Sequence, residues 1–367
     1  MSRTNAIIPS LTQGKPRLAA FGQRFLNGVI RYTLMILLAL LLFGAILLIS
    51  GRNPLHSYRD MLTSTLGSAY GFSEVLVAMT PMLITALAVA LPSRLILINV
   101  GVEGQLYMGA CFATWGALTF RDWPAWCLLP LMVLLGMAGG ALWAFMPGYL
   151  RARGIVNETI TTLLLNSVAP KVVSFFIFGF WHSPMDTDKT ASFVPAARLP
   201  TFFGTRVDLS LAIALVLLAL FWWVMKSTRW GLEMRAIGGN PQAARRNGLP
   251  VSTYLVVVMC IGGAIAGLAG MAQVSGYYGL LLNNFSRGTG YMGFLISWLS
   301  FGDPLGILLT SFVVAVIFTG GNLLQLTQGL PFAVINILLA FTLFVVLARP
   351  TQAVIALKGA YGSEPKP

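Results

Sequence analysis

Ten apolar stretches, each close to the roughly 20 residues a helix needs to cross a bilayer, recur between Tyr32 and Ala348. No other feature limits the fold as much. Backbone immersed in hydrocarbon must pair its own polar groups, which single runs of this length can do only as helices. The runs are Tyr32–Ile49, Glu74–Leu91, Leu95–Phe120, Ala125–Met146, Ile155–Phe180, Leu209–Met225, Tyr254–Ser275, Gly288–Phe301, Leu305–Leu323 and Pro331–Ala348. They predict an all-α polytopic membrane protein of about ten transmembrane helices. N-V-G-V-E-G (Asn99–Gly104) interrupts the third run, and the eighth is short and glycine-rich, so a broken third helix and a broken or re-entrant eighth are expected. Residues 1–31 form a polar, basic tail, 32–348 the transmembrane domain with a polar loop at 226–252, and 349–367 a second tail. The first run starts too late and is too long for a cleaved leader, so it is read as a retained span.

Only 10% of residues are charged, yet the net charge is +13. The basic residues sit in the gaps between runs and form no stripe interleaved with aromatics, which sets nucleic acid aside as a partner. With the N-terminus inside, the outer segments hold Arg52, Arg59, Arg121, Lys189, Arg198, Arg206 and Arg287, and Lys171 lies within a run. The other sixteen of the 24 Lys and Arg then fall inside. The positive-inside rule therefore puts both termini and the 226–252 loop in the cytoplasm.

The two halves look related. Displaced by 184 positions, Leu95–Ala110 falls on Gly279–Phe294, matching Leu97, Asn99, Gly104, Tyr107, Met108 and Gly109 to Leu281, Asn283, Gly288, Tyr291, Met292 and Gly293. The matched runs point in opposite directions, as in an inverted repeat of helices two to five and seven to ten around a midplane pathway.

Polar groups inside such a chain are costly and mark function or packing. Asn99, Glu103 and Gln105 lie in the break of the third run, with Arg287 as the repeat counterpart of Glu103 and a candidate charge lock. In V-N-E-T-I-T-T-L-L-L-N, Asn157, Thr161 and Asn166 fall roughly on one side, with Glu158 and Thr162 adjacent at i,i+4. The translocation-pathway candidates are Asn99, Glu103, Gln105, Asn157, Glu158, Thr161, Asn166, Asn283 and Arg287. The outer loop Trp181–Arg206 is a connector or a docking surface. Cys111, Cys127, Cys260, His56 and His182 show no metal spacing, and no catalytic constellation is present, so no catalytic or metal residue is expected. No G-x-x-x-x-G-K-[ST] occurs, so an ATP motor, if one drives this chain, is another subunit.

The polar loop holds a tightly bounded helix. Asn240 suits the N-cap, Pro241 the first helical position and Gly248 the left-handed residue that ends it, with Pro250 blocking a restart. A helix this short is unstable alone, which suggests that something outside the bilayer holds it.

Three stretches, I-N-V-G-V-E-G-Q-L-Y-M-G-A (Ile98–Ala110), V-N-E-T-I-T-T-L-L-L-N (Val156–Asn166) and R-A-I-G-G-N-P-Q-A-A-R-R-N-G (Arg235–Gly248), together resemble permease subunits of bacterial ABC importers for simple sugars and nucleosides, the ribose-type and guanosine-type branch. The likeness runs from about the second helix to the C-terminus. F-G-D-P-L-G (Phe301–Gly306) also resembles a turn of that family, although Asp303 departs from it. The resemblance implies a multi-pass chain in the bacterial cytoplasmic membrane forming half of a pore for a nucleoside or simple sugar. It implies no cofactor in this chain, with ATP and Mg on partner ATPase subunits. The other implied partners are a second permease in a heterodimer, an extracytoplasmic solute-binding protein and membrane lipids. It further implies that Glu233, Arg235, Gly239, Asn240, Pro241, Ala243, Ala244, Arg245 and Gly248 couple to the ATPase. An ion-coupled secondary transporter using Glu103 and Glu158 as a carboxylate relay is the rival reading, and an intramembrane enzyme a more distant one.

Overall fold

A computed structural model describes residues 37, 40–183, 186–202, 204–329, 337 and 340. The chain divides into two compact units, Met1–Pro54 with Asn336–Pro367, and Leu55–Ile335. In the first, the described part of the first run is the apolar helix α1, Leu40–Ile49. Both tails and almost all of the tenth run lie outside the described residues.

The second unit opens with α2 (Pro54–Leu66), which the run pattern does not anticipate because it is not apolar enough. Its buried positions Ser57, Met61 and Thr65 recur every four residues and form one helical face. That face docks on α12 (Pro304–Gln328): Ser57 Oγ donates to Gln328 Oε1 at 2.7 Å, and Gln328 Nε2 donates to Asp60 Oδ2 at 3.0 Å. Between them run α3 (Ala69–Ser93), α4 (Val102–Thr119), α5 (Ala125–Ala152), α6 (Glu158–Phe178), α7 (Leu209–Ser227), α8 (Arg229–Gly239), α9 (Pro241–Arg246), α10 (Val251–Ala272) and α11 (Thr289–Leu299). A widened π turn, Gln273–Tyr278, extends α10. Among the described residues, six helices are long and apolar enough to cross a membrane: α3, α5, α6, α7, α10 with its π turn, and α12. The broken third run yields only α4 and the eighth only the 11-residue α11.

Glycine decides the packing. In lipid, small residues let helix backbones approach closely, which strengthens dispersion contacts that side chains would hold apart. The seam of α4, α5 and α10 is built this way. A Cβ on Gly267 would lie 2.1 Å from the Gly136 carbonyl oxygen, one on Gly140 2.1 Å from that of Gly263, and one on Gly270 2.1 Å from that of Leu106. The helix neighbours form a crossed pattern: α10 packs on α4 and α5, while α3 packs on α11 and α12.

The segment from Trp181 to Arg206 is more than a tether. Strands β1 (His182–Ser183) and β2 (Asp186–Thr190) pair antiparallel, and the chain then zips onto the end of α10 and the residues after it. Thr190 N–H donates to Leu281 O at 3.0 Å, Phe193 N–H to Gly279 O at 2.8 Å and Leu199 N–H to Ser275 O at 3.2 Å. Phe193, Ala197 and Leu199 are buried. The loop thus supplies backbone partners to a stretch that is leaving its helix, as buried backbone groups require.

Candidate functional site

Between Ser93 and Val102 the chain leaves helical geometry, and its backbone groups need partners from elsewhere. Helix α6 supplies them from a stripe at i, i+4 and i+8: Glu158, Thr162 and Asn166. Glu158 Oε1 accepts from Ile98 N–H at 3.3 Å. Asn166 works in both directions, with Oδ1 accepting from Gly104 N–H and Nδ2 donating to Val100 O, each at 2.8 Å. Gly101 lies against Thr162, where a Cβ would come within 2.8 Å of the threonine Cβ. Asn99 and Gln105 close on each other through two amide hydrogen bonds of 3.0 and 2.9 Å, bridging the break. Arg151 Nε holds the other oxygen of Glu158 at 3.0 Å. The first two sequence motifs are therefore the two sides of one contact.

This changes the grouping on α6. Asn157 is the N-cap, accepting from Thr159 N–H at 2.8 Å, and Thr161 bonds back to the Asn157 carbonyl at 3.1 Å. Both serve the helix itself, because the side that meets the break begins one residue later. Replacing Asn166 by alanine strands Gly104 N–H and Val100 O in a buried place, and is expected to cost on the order of 2–4 kcal/mol. The check is a lowered midpoint of thermal unfolding in detergent, with Asn166→Asp intermediate because it keeps the acceptor and loses the donor.

The start of α4 meets the start of α11. Glu103 is buried, and its Oε2 accepts from Gly290 N–H at 2.7 Å. A Cβ on Gly290 would sit 2.5 Å from Glu103 Cα, so only glycine permits this approach. Arg287 and Gly288, at φ of +49° and +83°, turn the chain into α11. The charge lock expected between Glu103 and Arg287 is not formed among the described residues. The Glu103 side chain instead satisfies one of the orphan N–H groups at the start of α11, while Arg287 is exposed. Nor do Glu103 and Glu158 form a relay: each carboxylate is bonded to a different segment.

Beside this junction lies a cavity of about 570 Å³ whose walls include Glu103, Tyr107, Asn166, Asn284, Arg287 and Tyr291. Of the residues nominated from sequence, it brings together Glu103, Asn166 and Arg287. Asn99, Gln105, Asn157, Glu158, Thr161 and Asn283 are held elsewhere; Asn283 Oδ1, for example, accepts from Ser174 Oγ. Tyr107, Asn284, Tyr291 and Gln325 are lining residues that sequence reasoning does not single out. A signal exists for two of them, since Tyr107 and Tyr291 are a matched pair in the internal alignment. Tyr107 OH donates to Asn284 Oδ1 at 3.1 Å, and its ring sits edge-on to Phe285 at 4.8 Å.

The polar loop holds two helices. Residues 229–239, expected as loop, form α8, capped by Thr228, whose Oγ1 accepts from Gly231 N–H at 3.1 Å. Its buried residues Gly231, Met234 and Ile237 recur every three positions, enough to seat a short helix. Asn240 ends α8 and caps α9, its Oδ1 accepting from Gln242 N–H at 3.1 Å and Ala243 N–H at 3.0 Å. Pro241 is the first residue of α9. At the far end, Leu249 N–H reaches back to Ala244 O and Gly248 N–H to Arg245 O, each at 3.1 Å, with Gly248 at φ +84°. This is the Schellman closure that a C′ glycine makes possible. Ala244 is buried, whereas Pro241, Gln242, Ala243, Arg245 and Arg246 are exposed.

Three contacts brace this pair of helices. Arg235 donates to the Met225 carbonyl at the end of α7, and Tyr254 OH of α10 donates to Glu233. Gly238 presses on the Arg94 carbonyl, where a Cβ would lie 2.1 Å away, while Gly239 faces open space. Arg94 in turn donates from Nη2 to Gly302 O at 2.6 Å, in the turn before α12, and lies 5.6 Å from the centre of the Phe221 ring. Burial draws its guanidinium below the ordinary arginine value, and Asp303 pushes it back up. Asp303 itself caps α12, accepting from Gly306 N–H at 2.9 Å.

Comparison with known proteins matches residues 71–347 to the family described as branched-chain amino acid transport system, permease component. The chain is 35% identical over 322 residues to the glucose ABC transporter permease protein TsgB13 of Haloferax volcanii, covering 84% of each chain. It is 30% identical over 339 residues to the nucleoside ABC transporter permease protein NupB of Lactococcus lactis, covering 88% of this chain and 93% of that one. To the guanosine ABC transporter permease protein NupP of Bacillus subtilis it is 31% identical over 319 residues, covering 85% and 90%.

Proposed function

The chain belongs to the branched-chain amino acid transport system permease-component family, and from that premise we propose how this permease subunit of an ABC importer carries its solute. It is a transport subunit, not an enzyme. The cargo is a nucleoside or simple sugar, the classes named for its relatives. It passes through a pore of which this chain forms half, in a heterodimer with a second permease, receiving solute from an extracytoplasmic binding protein. Separate ATPase subunits hold ATP and Mg. Both termini and the α8–α9 loop lie in the cytoplasm, as the asymmetry of basic residues supports. Helices α3–α6 and α10 onward form an inverted repeat, for which the crossed packing of α3 and α10 and the meeting of α4 with α11 speak.

The observation that carries the reading is the cavity at the junction of the two interrupted segments, within the unit that also holds the braced α8–α9 pair. Closure of the ATPases pulls on α9. The pull passes through Arg235, Glu233 and Arg94 to the ends of α7, α10 and α3, and the rigid seam of α4, α5 and α10 carries it to the junction. Proteoliposomes holding this chain, its companion permease and the ATPases are expected to take up radiolabelled solute when ATP is supplied, with the binding protein present. A proton gradient alone is expected to give none. Uptake on the gradient without ATP would refute the importer mechanism.

A further inference from the structure

We propose that the cavity between α4, α6, α11 and α12 is a subsite for an uncharged nucleoside, its base lying on the ring of Tyr291 and its edge read by Arg287, Asn284 and Gln325. This rests on the importer reading and narrows its cargo. The volume of about 570 Å³ lies within the range of small-molecule sites, about 300–1,000 Å³. The Tyr291 side chain is 42% exposed while lining the cavity, so its ring offers a face on which any base can stack. Tyr107 donates to Asn284 Oδ1, which leaves the Asn284 amide hydrogens to donate to a ligand carbonyl. The Arg287 guanidinium is a planar fork suited to two in-plane acceptors on one edge, a pattern that the O6 and N7 of a guanine present and that an adenine or a hexose does not.

Charge sets the second half of the assignment. A helix N-terminus commonly holds a phosphate through its free N–H groups. At α11 that place is taken by Glu103, bonded to Gly290 N–H at 2.7 Å. The lining residues carry one acidic side chain, Glu103, and one guanidinium, Arg287. A phosphorylated nucleoside therefore finds the backbone N–H that would cradle its anion already bonded, whereas the uncharged form needs no such cradle.

The test is equilibrium binding of tritiated guanosine to the full chain in lipid nanodiscs, without the binding protein. Guanosine is expected to bind, to be displaced by unlabelled guanosine, and not by guanosine monophosphate or glucose. Tyr291→Ala is expected to weaken binding about tenfold, the order of a lost base-stacking contact, and Tyr291→Phe to leave it unchanged. Arg287→Gln is expected to weaken it by a similar factor while the protein elutes as the wild type does. Displacement by glucose or by the monophosphate overturns the proposal, as does equal binding by Tyr291→Ala and Tyr291→Phe. If the chain binds none of these probes while the assembled system still shows ATP-driven uptake, the subsite falls and the importer reading stands. Guanosine binding with no ATP-driven uptake does the opposite: the subsite stands and the importer reading falls.

Discussion

Valine at Gly267 is expected to lower the amount of folded protein in the membrane by more than tenfold. Gly267 sits where three helices converge. Its own added Cβ would come 2.1 Å from the Gly136 carbonyl oxygen of α5, and Gly109 of α4 packs so tightly on it that a Cβ there would come 2.2 Å from Gly267 Cα. Both obstacles are backbone, which cannot swing aside as a side chain can. The helices must separate by more than an ångström, and the separation propagates to Gly140 against Gly263 and to Gly270 against Leu106. Overpacking a well-filled core costs about 1–3 kcal/mol, and a displacement that opens three helix contacts together exceeds that range. Against a total stability of roughly 5–15 kcal/mol, such a loss exposes the chain to degradation. Quantitative blotting of membranes and size-exclusion chromatography of the solubilised protein measure the effect. Gly239→Ala is the control, since a Cβ there meets nothing within 4 Å. Wild-type levels of a monodisperse Gly267→Val protein would show that the seam is not built as described.

What the sequence reveals and what it hides follow from how far each interaction reaches. Apolar runs, the interruption at Asn99–Gly104 and the caps of α9 are local, since each depends on residues within a few positions of one another. The α9 caps are legible to the atom: Asn240, Pro241 and Gly248 do what their chemistry predicts. Helix α8 is hidden although its buried residues repeat every three positions, because two terminal glycines and mixed polarity make it read as loop. The stripe Glu158, Thr162, Asn166 differs from the expected side by one residue, since periodicity gives a face but not which neighbour it meets. Glu103 is the plainest case. A sequence offers Arg287 as a partner for a buried acid, whereas the group that binds it is a backbone N–H 187 positions away. Every residue other than proline has one, so composition cannot single it out. The contacts of the Trp181–Arg206 loop are hidden for the same reason, as it bonds to the backbone carbonyls of Ser275, Gly279 and Leu281.

Proline at Ala244 is expected to abolish uptake, by at least about a hundredfold, while the ATPases still hydrolyse ATP and the permease stays in the membrane. Helix α9 has six residues and few hydrogen bonds, one of which is Ala244 N–H to Asn240 O at 3.0 Å. Proline removes that donor and drives its ring into the Asn240 carbonyl, at a cost of about 3 kcal/mol or more. A helix of this length has no surplus to absorb it. Gly248→Val acts at the other end: a β-branched residue is a steric outlier at φ +84°, so the closure through Leu249 and Gly248 opens. Neither position touches the glycine seam, so protein levels are expected to hold. A flexible segment in place of the rod still lies near the ATPase but transmits no displacement, because a pull on it is taken up in its own extension. Arg94→Ala tests the next step, since it cuts the bond to Gly302 O that ties the footing of α8 to the turn before α12. It is expected to reduce uptake about tenfold at unchanged hydrolysis, the scale of one lost charge-assisted hydrogen bond. The measurement is the ratio of solute carried to ATP hydrolysed in proteoliposomes. Should Ala244→Pro keep the wild-type ratio, α9 is a surface ornament and force enters this chain elsewhere. Should it lose hydrolysis together with uptake, α9 serves to assemble the ATPase on the permease and not to transmit its stroke.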